Sequence, residues 1–274
     1  MSDRIAVTIT EGIADVRLNR PEKMNALDSG MFRALVETSA SLAADPSVRV
    51  VVLSGEGRAF CAGLDFSSFQ AMAGDGSDED GETPPAEGVT SIAEGQITHR
   101  GQQAVYGWTS LPVPVIAAVH GFALGGGIQL ALGADIRFVS PDVQMSVLEI
   151  KWGLVPDMTG TQALINLVGL DVAKELTFTG RMVNGTEAVQ LGLATHVADD
   201  PRAAAMELAA EIAGRSPQAV RAAKRLLNNA AKVSLAEGFA AEREEIGSLV
   251  GTPNQVEAVL SGFEKRAPRF TDPS

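Results

Sequence analysis

The chain has a single cysteine, Cys61, and three histidines among its 274 residues. One thiol excludes an internal disulfide framework, and with three His it cannot make up an ordinary Cys/His zinc site, so no metal is expected. Long hydrophobic runs are also missing: no stretch reaches the roughly 18 apolar residues that a membrane-spanning helix requires. The opening Met1-Ser2-Asp3-Arg4, followed by the alternating Ile5-Ala6-Val7-Thr8-Ile9, does not read as a signal peptide. Basic residues are scarce. Lys and Arg number 22 against 34 Asp and Glu, a net charge of −12 with His neutral, the reverse of the balance a general nucleic-acid binder carries. The expectation is a soluble, cytoplasmic protein that works on neither nucleic acid nor membrane.

What is present is globular: 45% of residues are hydrophobic and 20% charged, which excludes a disordered chain. Part of the acidic surplus is concentrated. Between Gln70 and Glu94 stand Asp75, Asp78, Glu79, Asp80, Glu82, Glu87 and Glu94 with no Lys or Arg, amid several glycines and prolines. Such a stretch is too polar and broken to pack as a core element and reads as a solvated loop or a lid over a site.

Elsewhere the pattern is α/β. Ile5 to Thr10 and Ala14 to Leu18 alternate about Gly12 as a hairpin. Asp28 or Ser29 caps a helix running to Ala44, and the β-branched run Val48 to Leu53 is a buried strand. A helix from about Gly95 to Ser110, a strand Val113 to Val119, a short helix Ile128 to Leu132 and a strand Ile136 to Val139 follow. Strand, strand, helix recurs at roughly 45 to 50 residues, a repeat of pattern that favours stacking into a spiral. From Asp200 strands disappear, and Ala203 to Ala213, Gln218 to Ala231 and Ala236 to Val250 read as helices. The expected division is a ββα core over 1–199 and a helical region over 200–274 that packs on the core or on other subunits.

Two segments put glycines where a strand hands over to a helix: Arg58-Ala59-Phe60-Cys61-Ala62-Gly63-Leu64-Asp65, and His120-Gly121-Phe122-Ala123-Leu124-Gly125-Gly126-Gly127-Ile128-Gln129. Neither fits G-x-G-x-x-G or a P-loop, and no G-x-S-x-G is present. Glycine permits close approach of main-chain N–H groups to a ligand, and those at a helix start are unpaired. Each segment alone is compatible with a plain tight turn.

Together they resemble the enoyl-CoA hydratase/isomerase (crotonase) superfamily. Asn19-Arg20-Pro21-Glu22-Lys23-Met24-Asn25-Ala26-Leu27 is similar to its N-R-P-x-x-x-N-A-L element, Ala59 to Asp65 to A-F-x-A-G-x-D, Gly121 to Gly127 to G-x-A-x-G-G-G, and Phe263 to Phe270 to its C-terminal signature. The resemblance implies a crotonase-like spiral with an α-helical C-terminal trimerisation region, assembled as a trimer or a dimer of trimers. It implies a coenzyme A thioester as substrate, with no separate cofactor. By position, the N–H groups of Leu64 and Gly126 would hold the thioester oxygen; Lys23, Ala26, Ala62, Asp65 and Lys265 would contact coenzyme A, Lys265 from a neighbouring subunit.

Hydratases of this family use two glutamates, at positions matched here by Gln129 and Glu149. Neutral Gln cannot accept a proton, although it can hold a water or a substrate group. Eight residues beyond Glu149 stands Asp157, a spacing that resembles the dienoyl-CoA isomerase branch. The implied activity is a double-bond shift in an enoyl- or dienoyl-CoA with Glu149 and Asp157 as proton carriers. Hydration of 2-enoyl-CoA and thioester binding without turnover are the alternatives. Asp157 also fits an N-cap of the helix that follows, and Glu149 a strand end. Arg215, Arg221, Lys224 and Arg225 form the best candidate for a basic stripe, which in an acidic protein reads as a solvated face or a subunit contact.

Overall fold

In a computed structural model, which describes residues 4–66, 91, 92, 95 and 97–273, the alternating N-terminal residues form the expected hairpin. Strand β1 (Ile5–Thr10) pairs antiparallel with β2 (Ile13–Leu18) across Glu11-Gly12, both at positive φ, the backbone that a tight two-residue hairpin turn requires. Three further strands extend the sheet in parallel: β3 (Val50–Gly55), β4 (Val115–Val119) and β6 (Ile136–Val139), with the short β8 (His196–Val197) at the edge. A second sheet holds only β5 (Phe122–Leu124) and β7 (Gln144–Ser146). The acidic stretch of the sequence falls largely outside the described residues.

The central strands are apolar on both faces because both are covered. Val51, Leu53, Val115, Ala117 and Val119 face the larger core. It is built with α1 (Ser29–Ala44), α2 (Arg100–Thr109), which supplies the fully buried Trp108, and α3 (Gly126–Leu132). Local signals start these helices: the Asp28 carboxylate accepts from the Met31 N–H at 2.7 Å, and the His99 ring accepts from Gly101. Val50, Val52, Ile116 and Ala118 face the other way, onto Ala205, Ala209 and Ala213. These alanines repeat every four residues along α7 (Pro201–Ala213) and let that helix lie close to the sheet. So α7, assigned from sequence to the C-terminal helical region, is packed as part of the sheet core.

Helices α4 (Gly160–Val168), α5 (Leu170–Thr179) and α6 (Gly185–Leu191) add Leu164, Ala173, Leu176 and Ala188 to the larger core. The C-terminal region proper is α8 (Pro217–Ala230), α9 (Leu235–Leu249) and α10 (Pro253–Glu264). Buried Lys224 joins α8 to the sheet, donating to the Val113 carbonyl at 2.9 Å and the Asp135 carboxylate at 2.8 Å, and Arg221 donates to the Val48 carbonyl. Arg215 is paired with Glu211 and Arg225 with Glu245, so every cation of the basic stripe has an internal acceptor. Helix α9 buries nothing within the chain; Leu235 and Phe239 on it, and Phe263 on α10, are exposed.

Arg20 is the charged knot beneath the site. It is 2% exposed, donates to the Ala26 carbonyl, lies 3.3 Å from the Asp28 carboxylate and donates to the Asp65 carboxylate. Both carboxylates are buried as well. Removing one member of such a group leaves charge without its counterion in a poorly solvated place. Arg20→Met is therefore expected to lower unfolding stability by about 3–5 kcal/mol, read from urea denaturation; a loss under about 1 kcal/mol, the range of exposed pairs, would show that the knot is not structural.

Candidate active site

The two glycine segments lie side by side. The Phe60 N–H donates to the His120 carbonyl, Cys61 to Phe122 and Leu124 to Cys61, at 2.9, 3.0 and 3.1 Å. This pairing demands small residues. A Cβ on Gly127 would stand 2.1 Å from the Cys61 carbonyl oxygen, and one on Gly63, where φ is +89°, would stand 2.5 Å from that of Leu124. Cys61 is bridged to Ala123 in parallel.

The flanking amides are taken. Leu27 donates to the Gly63 carbonyl, Asp65 donates to Leu27, and Gly125 donates to Ser146. Because Leu64 is the bridged residue, its own N–H faces away from Leu27. Gly126 is the first residue of α3, where an N–H has no partner within the helix. Among the described residues neither the Leu64 nor the Gly126 N–H has an acceptor. The Gly126 nitrogen lies 3.6 Å from where a side chain on Gly63 would begin.

Glu149 sits beside this turn. It belongs to a 3-10 helix (Leu148–Trp152) just after β7 rather than to a strand end. Its Oε1 is 3.4 Å from the Cβ position of Gly125 and accepts from Gln129 Nε2 at 2.6 Å. Its Oε2 is buried with no partner. Burial pushes the Glu149 carboxyl above the ordinary carboxylate value, the negative charge of Asp157 adds to this, and a backbone N–H and the Gln129 amide oppose it. Asp157 is exposed and does not cap the helix it precedes; α4 begins at Gly160, with Thr159 at the cap position.

Gln129, read from the sequence as a group able to hold a water or a substrate group, is gripped by the protein on both sides of its amide. It is 1% exposed, and its Oε1 accepts from the N–H groups of Met158 at 2.8 Å and Gly160 at 3.0 Å while its Nε2 donates to Glu149. Only the position of Gln129 was legible in the sequence, since the partners it holds are twenty or more residues away.

The residues assigned to coenzyme A divide. Lys23 and Lys265 are exposed, the first in a 3-10 helix (Pro21–Lys23), the second at the end of α10 with φ +54°. Asp65 is a correction: its carboxylate is 4% exposed and turned inward onto Arg20, so it is not presented to a ligand. Ala26 is buried, its N–H donating to Lys23 and its carbonyl accepting from Arg20. The Ala62 N–H donates to Met24. Among the described residues no cluster of metal-ligating side chains is found.

The enoyl-CoA hydratase/isomerase family model matches residues 8–273. The chain is 35% identical over 267 residues to mouse mitochondrial enoyl-CoA hydratase domain-containing protein 2, covering 95% of this chain and 84% of the relative. It is 32% identical over 266 residues to human mitochondrial methylglutaconyl-CoA hydratase, covering 94% and 74%. Among solved structures, the enoyl-CoA hydratase of Bacillus anthracis superposes with a TM-score of 0.84 at 31% identity, covering 97% and 98% of the two chains. That of Mycobacterium smegmatis superposes with 0.81 at 31%, covering 97% and 98%. The molecule has the crotonase fold. It belongs to the enoyl-CoA hydratase/isomerase family and is an enzyme of that family, acting on coenzyme A thioesters.

Cys61, in the first glycine segment, is fully buried, and burial pushes its thiol up to about 12. The thiolate is the reactive form, so the folded protein should resist maleimide at neutral pH and react fully only after unfolding. Rapid native labelling, followed by mass spectrometry, would contradict this burial.

Proposed function

We propose that the enzyme shifts a double bond in an enoyl- or dienoyl-CoA through an enolate, with Glu149 as the main proton carrier and Asp157 as the second. The observation that carries it is the buried, unpartnered Oε2 of Glu149 beside the turn that presents the free Gly126 N–H. Taking a proton from the carbon next to a thioester drives negative charge onto the carbonyl oxygen. Leu64 and Gly126 are the two donors assigned to that oxygen, and one fixed donor of this kind is typically worth about 2.7–4 kcal/mol at the transition state. Glu149 with a raised proton affinity is a better base when ionised and remains able to return the proton. Gln129 has no ionisable group to give or take a proton, so the two-carboxylate route for adding water lacks one of its groups.

Hydration of 2-enoyl-CoA is the second reading, favoured by the names of the relatives, which are hydratases. In either case exposed Lys23 and Lys265 are the residues assigned to the phosphates of coenzyme A, Lys265 from a neighbouring subunit. The exposed apolar residues of α9 and α10 support a trimer or a dimer of trimers.

A product-resolved assay over positional isomers of an enoyl-CoA is expected to show 3-enoyl-CoA converted to 2-enoyl-CoA. Glu149→Gln should slow this by about 10²–10⁴-fold. A Glu149→Gln protein as fast as the wild type would overturn the assignment. Faster formation of 3-hydroxyacyl-CoA from 2-enoyl-CoA would favour hydration, and thioester binding with no product from any isomer would favour a binding protein.

The same carboxyl has a stability signature. Its folded proton affinity exceeds that of the unfolded chain, so the folded state binds the extra proton. Stability is therefore lost as pH rises from the ordinary carboxylate value through the raised one. Glu149→Gln should remove that slope and be at least as stable as wild type at neutral pH, measured by denaturant unfolding across pH. A variant that is clearly less stable at neutral pH would contradict the burial penalty.

A further inference from the structure

We infer that Gln129 is a positioning residue, whose carboxamide holds Glu149 in one orientation and confines its exchangeable proton to Oε2. The inference deepens the proposed function, resting on Glu149 as the proton carrier.

The orientation of the carboxamide is fixed by its neighbours. Gln129 Oε1 receives two main-chain N–H groups, those of Met158 and Gly160. Neither can act as an acceptor, so the oxygen must face them and the NH₂ must face Glu149. That NH₂ meets Glu149 Oε1 at 2.6 Å. Oε1 is thereby kept as an acceptor, and the proton is left to Oε2, the buried oxygen with no partner.

The seat is built around the amide. A Cβ on Gly160 would lie 2.6 Å from Gln129 Oε1 and 2.9 Å from its Cδ, so a side chain there displaces the carboxamide. The same amide anchors the backbone that carries Asp157 and Met158, and the Met158 sulfur lies 2.9 Å from the Cβ position of Gly126. One neutral side chain thus links the carboxylate to the turn holding the free Gly126 N–H. Asp157 is the charged side chain whose field reaches Glu149 among the described residues. Lys151 on the same 3-10 helix, and Asp171, Lys174 and Glu175 on α5 packed against it, are exposed.

The test is exchange of the α-protons of butyryl-CoA in heavy water, followed by mass spectrometry across pH. It reports proton removal whichever net reaction the enzyme performs. Gln129→Met takes away the N–H that stabilises the ionised carboxylate. Its rate profile should keep a similar KM, lose kcat, and have its acid limb moved up by about one pH unit or more. Gly160→Ala keeps Gln129 but pushes it off its seat, and should move the limb in the same direction by less. If both variants keep the wild-type limb, or lose activity equally at every pH, Gln129 is only packing and the inference falls. Should Gln129→Met fail to fold, the limb of Gly160→Ala decides alone. Wild-type exchange by Glu149→Gln would instead remove the proton-carrier assignment itself, a result separate from either Gln129 outcome.

Discussion

The site depends on two stretches of backbone running in contact, residues 59–64 against 120–126. Their hydrogen bonds leave no room for side chains at Gly63 and Gly127, where a Cβ would meet a carbonyl oxygen at 2.5 or 2.1 Å. That closeness sets Gly63 beside the Gly126 nitrogen, in two segments that each carry an N–H without an acceptor among the described residues. Everything chemical is then arranged around a main-chain feature: Glu149 packs beside Gly125, Met158 covers Gly126, and the Arg20 knot ties the segment before α1 to Asp65. The architecture beneath supplies rigidity. A sheet covered on both faces holds the strands from which the two turns emerge, and preorganised donors avoid reorganisation during the reaction.

Gln129 and Glu149 show how one polar pair sets the chemistry available. A carboxylate in place of Gln129 would put two acids about a hydrogen bond apart, and they would have to share a proton. The amide avoids that repulsion. It stabilises the ionised form of a neighbour that burial otherwise disfavours, so the Glu149 proton affinity is a compromise between desolvation and one strong hydrogen bond. A single adaptable carboxyl, with a more distant exposed Asp157, suits a reaction in which a proton leaves one carbon and returns to another.

Much of this was legible in the sequence where the signal is local. The hairpin, the Asp28 cap, the apolar strands and the glycine turns depend on neighbours within a few residues, and each was placed within a few residues of its observed position. Helix α10 was not anticipated, although Thr252 accepting from Gln255 with Pro253 behind it is a regular start signal. The apolar residues there are half exposed, so periodicity within one chain gave little guidance. Glu149 was located in sequence but not in conformation: a strand end and a 3-10 turn look alike over five residues. The inward turn of Asp65 and the grip of Gln129 on residues 158–160 depend on contacts 29 to 45 positions apart, which no local pattern encodes. The packing of α7 escaped for the same reason, since an alanine stripe does not say which surface it meets.

The free N–H of Leu64 has a consequence for how such a centre is studied. Exchanging the leucine for another side chain alters a shape and leaves the donor untouched, so a conventional residue scan passes over one of the two amides proposed to bind the thioester oxygen. Only replacing the peptide linkage itself, by an ester that carries oxygen in place of nitrogen, would silence that contact. Sequence drift at this position is correspondingly free, while the curve of the chain that aims the amide is not.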